Sequence, residues 1–239
     1  MNRRECDVLR LGRVPYADAW ALQDRLADER GRGGVDRLLL LEHPHTYTLG
    51  SSGRDEHLLM SEAERERLGI DVFRVDRGGD ITYHGPGQLV GYPIIQLERD
   101  ALRADFVGYL RRLEQVLIAT LADYECARRT IKGLTGVWVD TPRGDAKIAA
   151  IGVRINVRAV TKHGFALNLN TDLSYFGGII PCGIRTGRDQ SGGAAGEPVD
   201  EAAVTARLVE HFGAAFDYTM RERVDAHDLL SESRVHQGN

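Results

Sequence analysis

The sequence predicts an α+β fold, a mixed and largely antiparallel sheet flanked by helices, and three observations lead there. Strand-like runs greatly outnumber helical ones between residues 70 and 170. Two stretches, 105–124 and 200–216, instead carry apolar residues at the spacing of an amphipathic helix. No repeat and no composition shift that would mark a linker divides the chain. With 239 residues, 42% hydrophobic and 28% charged, one sizeable core is the expectation: a single domain over 1–217, then a polar tail over 218–239 that is prone to disorder.

Residues 6–14 read as a strand, and the following PYADAWALQDRLADERGRG shows helical spacing through Tyr16, Trp20, Ala21 and Leu26 until Gly31, Gly33 and Gly34 stop it. VDRLLLLEHP is a buried strand. His43 and His45 flank a proline at its end; two histidines without a third ligand nearby make a weak metal site, so turn or pocket-wall roles are expected and no metal. Ser61 and Glu64 form a capping box opening the helix SEAERERLG, and IDVFRV returns as a strand. In residues 77–97, strand-forming runs are broken by Gly78, Gly79, Gly85, Pro86 and Gly87, the mark of a bulge or of a group that must touch the backbone. The helix over 105–124 has apolar residues at 106, 107, 110, 113, 117 and 121. ARRTIKGLTGVWVD continues as strand material, and the TPRGDA turn delivers the chain to Lys147.

From Lys147 to Gly183 come two strand-like runs, 148–160 and 163–170, a helical turn opening at Asp172, and Cys182 between Pro181 and Gly183. That backbone can approach a ligand closely, a poor setting for a core cysteine. Lys147 is the natural holder of its proton. Ordinary values put a thiol near ~8.5 and an ammonium near ~10.4, a gap that favours thiolate plus ammonium by about 2.6 kcal/mol before burial opposes charge. A Gly-rich loop, IRTGRDQSGGAAGEP, and a helix over 200–216 with Val204, Leu208, Val209 and Phe212 on one face complete the chain.

A formal charge of −4 leaves no footprint for a phosphate backbone, so nucleic acid is not an expected partner. Three cysteines without paired spacing argue against a disulfide framework and a CxxC metal site; Cys6 and Cys126 read as buried structural thiols. The N-terminal MNRRECDVLRLGRV lacks the apolar stretch of a signal peptide, and no apolar run is long enough to cross a bilayer. A cytoplasmic protein with no membrane contact is expected.

Taken in order, RGGDITYHGPGQLVGYP, KIAAIGVR, HGFALN and PCG resemble the lipoyl(octanoyl) transferases, over roughly residues 35–185, with HPHTYTLG also fitting. The resemblance implies a biotin/lipoate protein ligase-like catalytic core and acyl transfer through a thioester. The donor would be octanoyl-acyl carrier protein, whose phosphopantetheine carries the acyl group. The acceptors would be lipoyl domains of 2-oxoacid dehydrogenase E2 subunits and the glycine cleavage H protein, with neither ATP, metal nor resident cofactor. Carried over by motif, Cys182 is the acylated nucleophile and Lys147 lowers its pKa. The acyl pocket is expected to be lined by Arg77, Gly78, Gly79, Asp80, Ile81, Thr82, Tyr83 and His84, by Ala150, Ile151 and Gly152, and by Gly164, Phe165 and Ala166.

His163 and Gly183 are further candidates, the histidine to bond substrate or orient Lys147, the glycine to offer a backbone N–H to the oxyanion. Arg77 either meets a carboxylate or anchors the glycine turn. Many relatives have serine where Ala150 stands, so a hydroxyl there is not essential. Carrier proteins are acidic as a class, which would use arginines near the pocket mouth, with Arg154, Arg158 and Arg185 as candidates. Two rival activities remain: an ATP-dependent lipoate-protein ligase, which has no use for Cys182, and a cysteine thioesterase using His84 or His163 as base. A non-catalytic binding module is a third class. The chain has no P-loop, and GRGG at 31–34 is too isolated to bind phosphate.

Overall fold

The computed structural model describes residues 3–97, 102–124 (side chains from 106), 128–141, 144–181, 199–223 and 229–230. Among the described residues, eleven strands and four helices follow in the order β1 (Arg4–Arg13), α1 (Tyr16–Gly31), β2 (Asp36–Glu42), β3 (Thr46–Leu49), α2 (Glu62–Leu68), β4 (Asp71–Arg74), β5 (Ile81–His84), β6 (Gln88–Ile94), α3 (Leu102–Ala122), β7 (Arg128–Ile131), β8 (Leu134–Thr141), β9 (Gly144–Ile155), β10 (Thr161–Asn168), α4 (Glu201–Phe216) and β11 (Tyr218–Glu222). A 3-10 turn at Leu173–Gly178 opens on Asp172, whose carboxylate accepts the Ser174 N–H as the sequence implied.

The large sheet runs β11-β1-β2-β6-β10-β9-β8-β7, and a small one runs β4-β3-β5. In the large sheet only β11–β1 and β1–β2 are parallel pairs; the others are antiparallel, giving the mixed α+β architecture the strand-rich sequence called for. The run of leucines in β2 is continuous because both its faces are buried. Leu38 and Leu40 join the core beneath α3 and α4, while Leu39 and Leu41 join the core beneath α1. The small sheet has its own cluster, built on Tyr47, Leu49, Ile81 and Tyr83.

Ser61 caps α2 by accepting the Glu64 N–H, and Asp200 caps α4 by accepting those of Ala202 and Ala203. The buried face of α1 is Tyr16, Ala19, Leu22, Gln23, Leu26 and Ala27, so Trp20 and Ala21 flank that face instead of forming it. In α3, Phe106 and Val107 are exposed at the helix start, and the core face begins at Tyr109.

Three expectations shift. ARRTIKGLTGVWVD is two strands, a hairpin turned at Gly133 with φ 85°. The runs expected at 148–160 and 163–170 start and stop earlier, because Asn156 closes a turn by accepting the N–H groups of Arg158 and Val160. Residues 218–222, assigned to the polar tail, form β11, which pairs parallel with β1, and Tyr218 donates its hydroxyl to Asp36 at 2.8 Å. The sheet therefore reaches past the expected boundary at 217, since alternating Tyr218 and Met220 suffice to seat an edge strand. Cys6 is a buried core residue whose thiol burial pushes far up, an inert structural position. Cys126 and the Gly-rich loop at 184–198 lie outside the described residues.

Candidate active site

A cavity of about 540 Å³ lies between the β9–β10 part of the large sheet and the turn that leads into β5. Arg77, Gly78, Gly79, Asp80, Ile81, Thr82 and His84 line it from the small sheet, and Ala150, Ile151, Gly152, His163, Gly164, Phe165 and Ala166 from the large one. Lys147 and Pro181 also line it. Cys182, Gly183 and Arg185 lie outside the described residues.

The glycine turn seats directly on β9. Gly78 N–H donates to Val153 O at 2.9 Å, and a Cβ on Gly152 would stand 2.9 Å from Gly78 O, closer than a side chain tolerates. Arg77 is the anchor of that turn. Its guanidinium donates to Thr48 O at 2.6 Å, to Thr48 Oγ1 at 2.9 Å and to Gly78 O at 3.0 Å, and it is 7% exposed.

Lys147 reaches the cavity because β9 bulges. Trp138 on β8 faces Lys147 while Val137 faces Ala149, leaving Ile148 as the extra residue. Ala146, Ile148 and Ala149 all turn into the core under α3 and α4. The lysine alone turns the other way, and its Nζ sits 4.8 Å from the centre of the Trp138 ring. Gly136, at φ 119°, makes room for this crossing; a Cβ there would stand 2.5 Å from Ala149 O.

The chain that leads to Cys182 is stitched to residues 57–60. Ile180 N–H donates to His57 O at 2.7 Å, and the Leu59 and Met60 N–H groups share Gly178 O at 2.9 and 3.0 Å. Pro181 follows, on the cavity wall.

A polar chain crosses one wall. Gln88 Nε2 donates to Asn168 Oδ1 at 2.9 Å, and Gln88 Oε1 accepts from His84 Nδ1 at 2.8 Å. Burial holds the His84 pKa well below that of a free imidazole, with neighbouring His43 pushing the same way, so it is a neutral donor at Nδ1. Tyr16 and Tyr92 add to the lining, and Tyr92 OH lies 2.7 Å from Nε2 of His43, whose Nδ1 bonds Val14 O at 2.8 Å. At the same end His163 Nε2 lies 2.7 Å from Asp76 Oδ1. Hydrogen bonds from His163 and Lys162 hold the Asp76 carboxyl well below the usual range, and burial lowers His163.

Tyr83 does not line the cavity. Its ring stacks on Tyr175 at 5.2 Å, and its hydroxyl bonds His45 at 2.7 Å. His43 and His45 thus have separate partners, and no three His, Cys, Asp or Glu residues converge as metal ligands among the described residues. Arg154 is exposed and Arg158 faces Asp28 on α1 at 3.7 Å, and neither lines the cavity. Gln88, Asn168, Tyr16 and Tyr92 were missed as site residues. Gln88 and Asn168 had a signal: Gln88 opens the mostly apolar strand β6 beside the HGPG turn, and Asn168 ends the apolar run Phe165–Leu167 within the HGFALN motif. No helix among the described residues is long and apolar enough to cross a membrane.

Comparison with known proteins places this geometry in context. The lipoyl protein ligase A/B catalytic domain family matches residues 15–213. An octanoyltransferase of Solibacter usitatus is 51% identical over 91% of this chain and 96% of its own length. One from Chloroflexus aurantiacus is 46% identical over 93% of this chain and 98% of its own. In fold, the chain is similar to a bi-partite lipoate protein ligase from Thermoplasma acidophilum, with TM-score 0.71 and 17% identity, covering 97% of this chain and 92% of that one.

Proposed function

The chain belongs to the octanoyltransferases, within the lipoyl protein ligase A/B catalytic domain family, and we propose that the octanoyl group it moves in protein lipoylation passes through a thioester on Cys182. The observation that carries this reading is the shared cavity: Lys147, turned inward by the β9 bulge, and Pro181, the residue bonded to Cys182, line the same space.

In the first step Cys182 thiolate attacks the octanoyl thioester carbonyl of the donor. The tetrahedral oxyanion collapses, the donor's sulfur–carbon bond breaks, and the leaving thiolate takes the proton held on Lys147. One thioester replaces another, so little driving force is needed. In the second step a lysine of the acceptor, having lost one proton to water, attacks the acyl-enzyme as a neutral amine. Lys147, now neutral and without a thiolate beside it, takes the second proton. The amide forms and Cys182 leaves as thiolate, restoring the pair.

Backbone N–H groups around Gly183 are the proposed oxyanion donors. The glycine turn and the small residues Ala150, Gly152, Gly164 and Ala166 give the acyl chain its channel, with His84 in the wall. Octanoyl-acyl carrier protein is the proposed donor, and lipoyl domains of 2-oxoacid dehydrogenase E2 subunits and the glycine cleavage H protein the acceptors. Thioester exchange and aminolysis call for no metal, ATP or resident cofactor, and the cytoplasm, with reduced thiols, is the proposed location.

A transfer assay without ATP tests the scheme. An apo lipoyl domain is expected to gain octanoyl from the loaded carrier with the native chain and none with Cys182→Ala. A requirement for free octanoate plus ATP would overturn it.

A further inference from the structure

Among the described side chains of α3, one charged group is buried. The helix is apolar on its core face at Leu113, Val116, Leu117 and Leu121, and Glu114 stands among them at 1% exposed. Leu110 and Phe106, which line the cavity, lie one and two turns before it, at the four-residue spacing that shares a side of a helix. The carboxylate is held between two donors. Oε2 accepts from the guanidinium of Arg111, and Oε1 accepts the Gly136 N–H at 3.1 Å.

That second bond meets a gap in the sheet. Among the described residues, Gly136 is paired in neither ladder of β8: toward β7 the register passes from Leu134 to Trp138, and toward β9 it starts at Val137. A buried N–H left without a partner is costly, and Glu114 supplies one from outside the sheet. Gly136 is also where the lysine passes. Lys147 Cδ and Cε both lie 3.5 Å from the point where a Cβ on Gly136 would stand, and the φ of 119° there is one that other residues rarely adopt. The stem of Lys147 thus runs over a peptide that the carboxylate fixes, on its way to the Trp138 ring.

We propose that Glu114 is a positioning residue for Lys147: by accepting the Gly136 N–H it holds the β8 backbone in the course that lets the lysine side chain cross from β9 into the cavity. The hydrogen bond does this and the negative charge does not, since Arg111 already balances that charge on α3. The inference rests on the reading of Lys147 as the acid–base group.

Two conservative substitutions separate reach from charge. Glu114→Gln keeps an accepting oxygen at the same reach and loses the charge. Glu114→Asp keeps the charge and falls short of Gly136 by about 1.5 Å, one carbon–carbon bond. The chain has three lysines, Lys132, Lys147 and Lys162, so carbon-13 at the lysine ε position gives three NMR signals on the full chain. The one that feels the Trp138 ring current, and is absent from Lys147→Arg, reports where Lys147 stands.

In Glu114→Asp that signal is expected to move toward the other two. kcat is expected to fall about tenfold or more with KM for the loaded carrier within about twofold, the pattern of a misplaced group and not of a lost substrate contact. In Glu114→Gln the signal is expected to stay in place, with kcat within about threefold of native. A stationary Lys147 signal in a folded aspartate variant overturns the inference, as does a glutamine variant in which the signal moves. Should the aspartate variant not fold, the place of the signal in the glutamine variant decides alone. A displaced lysine with undiminished kcat would defeat the acid–base reading of Lys147 together with this inference; a stationary lysine defeats only this inference.

Discussion

Lys147 Nζ lies 4.8 Å from the centre of the Trp138 ring, directly across β9–β8 at the bulge that turns the lysine out of the core. The indole face favours a cation and fixes where the ammonium stands, which suits a group that must hold and then release a proton beside a thiolate.

That double duty separates lysine from arginine. Lys147→Arg keeps a positive charge near the thiol but does not give up its proton near neutral pH. Both half-reactions should fall by about 10²-fold or more, the usual size of a lost acid–base group, because the leaving thiolate loses its proton donor and the acceptor amine its base. Lys147→Ala should lose both steps and move alkylation of Cys182 to higher pH. Rapid-quench measurement of the two half-reactions, with an iodoacetamide pH profile, checks this; an arginine variant that keeps either step near the native rate would contradict it.

The chain from Asn168 through Gln88 to His84 predicts a stability effect. Gln88→Leu removes a donor and an acceptor from buried partners at once. Each stranded group costs about 1–3 kcal/mol, so a loss of several kcal/mol in denaturant unfolding is expected. A change below about 1 kcal/mol would mean that the chain orients His84 without supporting the fold.

His43 predicts the acid limb of stability. Burial lowers its pKa from 6.5 to about 4. A folded-state pKa below the unfolded one means that the unfolded chain takes the proton first. The contribution is therefore intact above about 6.5 and is lost as pH falls toward about 4, at up to about 1.4 kcal/mol per pH unit. Urea unfolding between these pH values should show that slope, and His43→Gln should flatten it.

The tip of the β7–β8 hairpin predicts where an acidic carrier docks. Lys132 is exposed beside Gly133 and Leu134, both on the cavity wall, whereas Arg158 turns to Asp28. Lys132→Glu should raise KM for the loaded carrier by about fivefold to tenfold at low salt, leave kcat near the native value, and lose its effect at high ionic strength. Steady-state kinetics over a salt series reads this out.

Much of the site was legible because its motifs are contiguous: RGGDITYH, AIG and GFA each fold as one strand or turn, so sequence neighbours share a wall. Tyr83 departs from its own motif through strand alternation, which sends it to the opposite face from Thr82 and into the small-sheet cluster. Gln88, Asn168, Tyr16 and Tyr92 come together only through pairing across β6 and β10 and the packing of α1, which no local pattern encodes. The outward turn of Lys147 depends on a bulge whose register is set by β8. The edge strand β11 is similarly invisible, being half exposed and therefore polar in composition.

The most direct measurement is the intact mass of the chain after mixing with octanoyl-carrier protein in the absence of ATP, followed by peptide mapping and then addition of an apo lipoyl domain. The account predicts one octanoyl group, located on Cys182, that moves to a lysine of the domain in a single turnover. An adduct on another residue, or one that is lost to water and never reaches the domain, would contradict it.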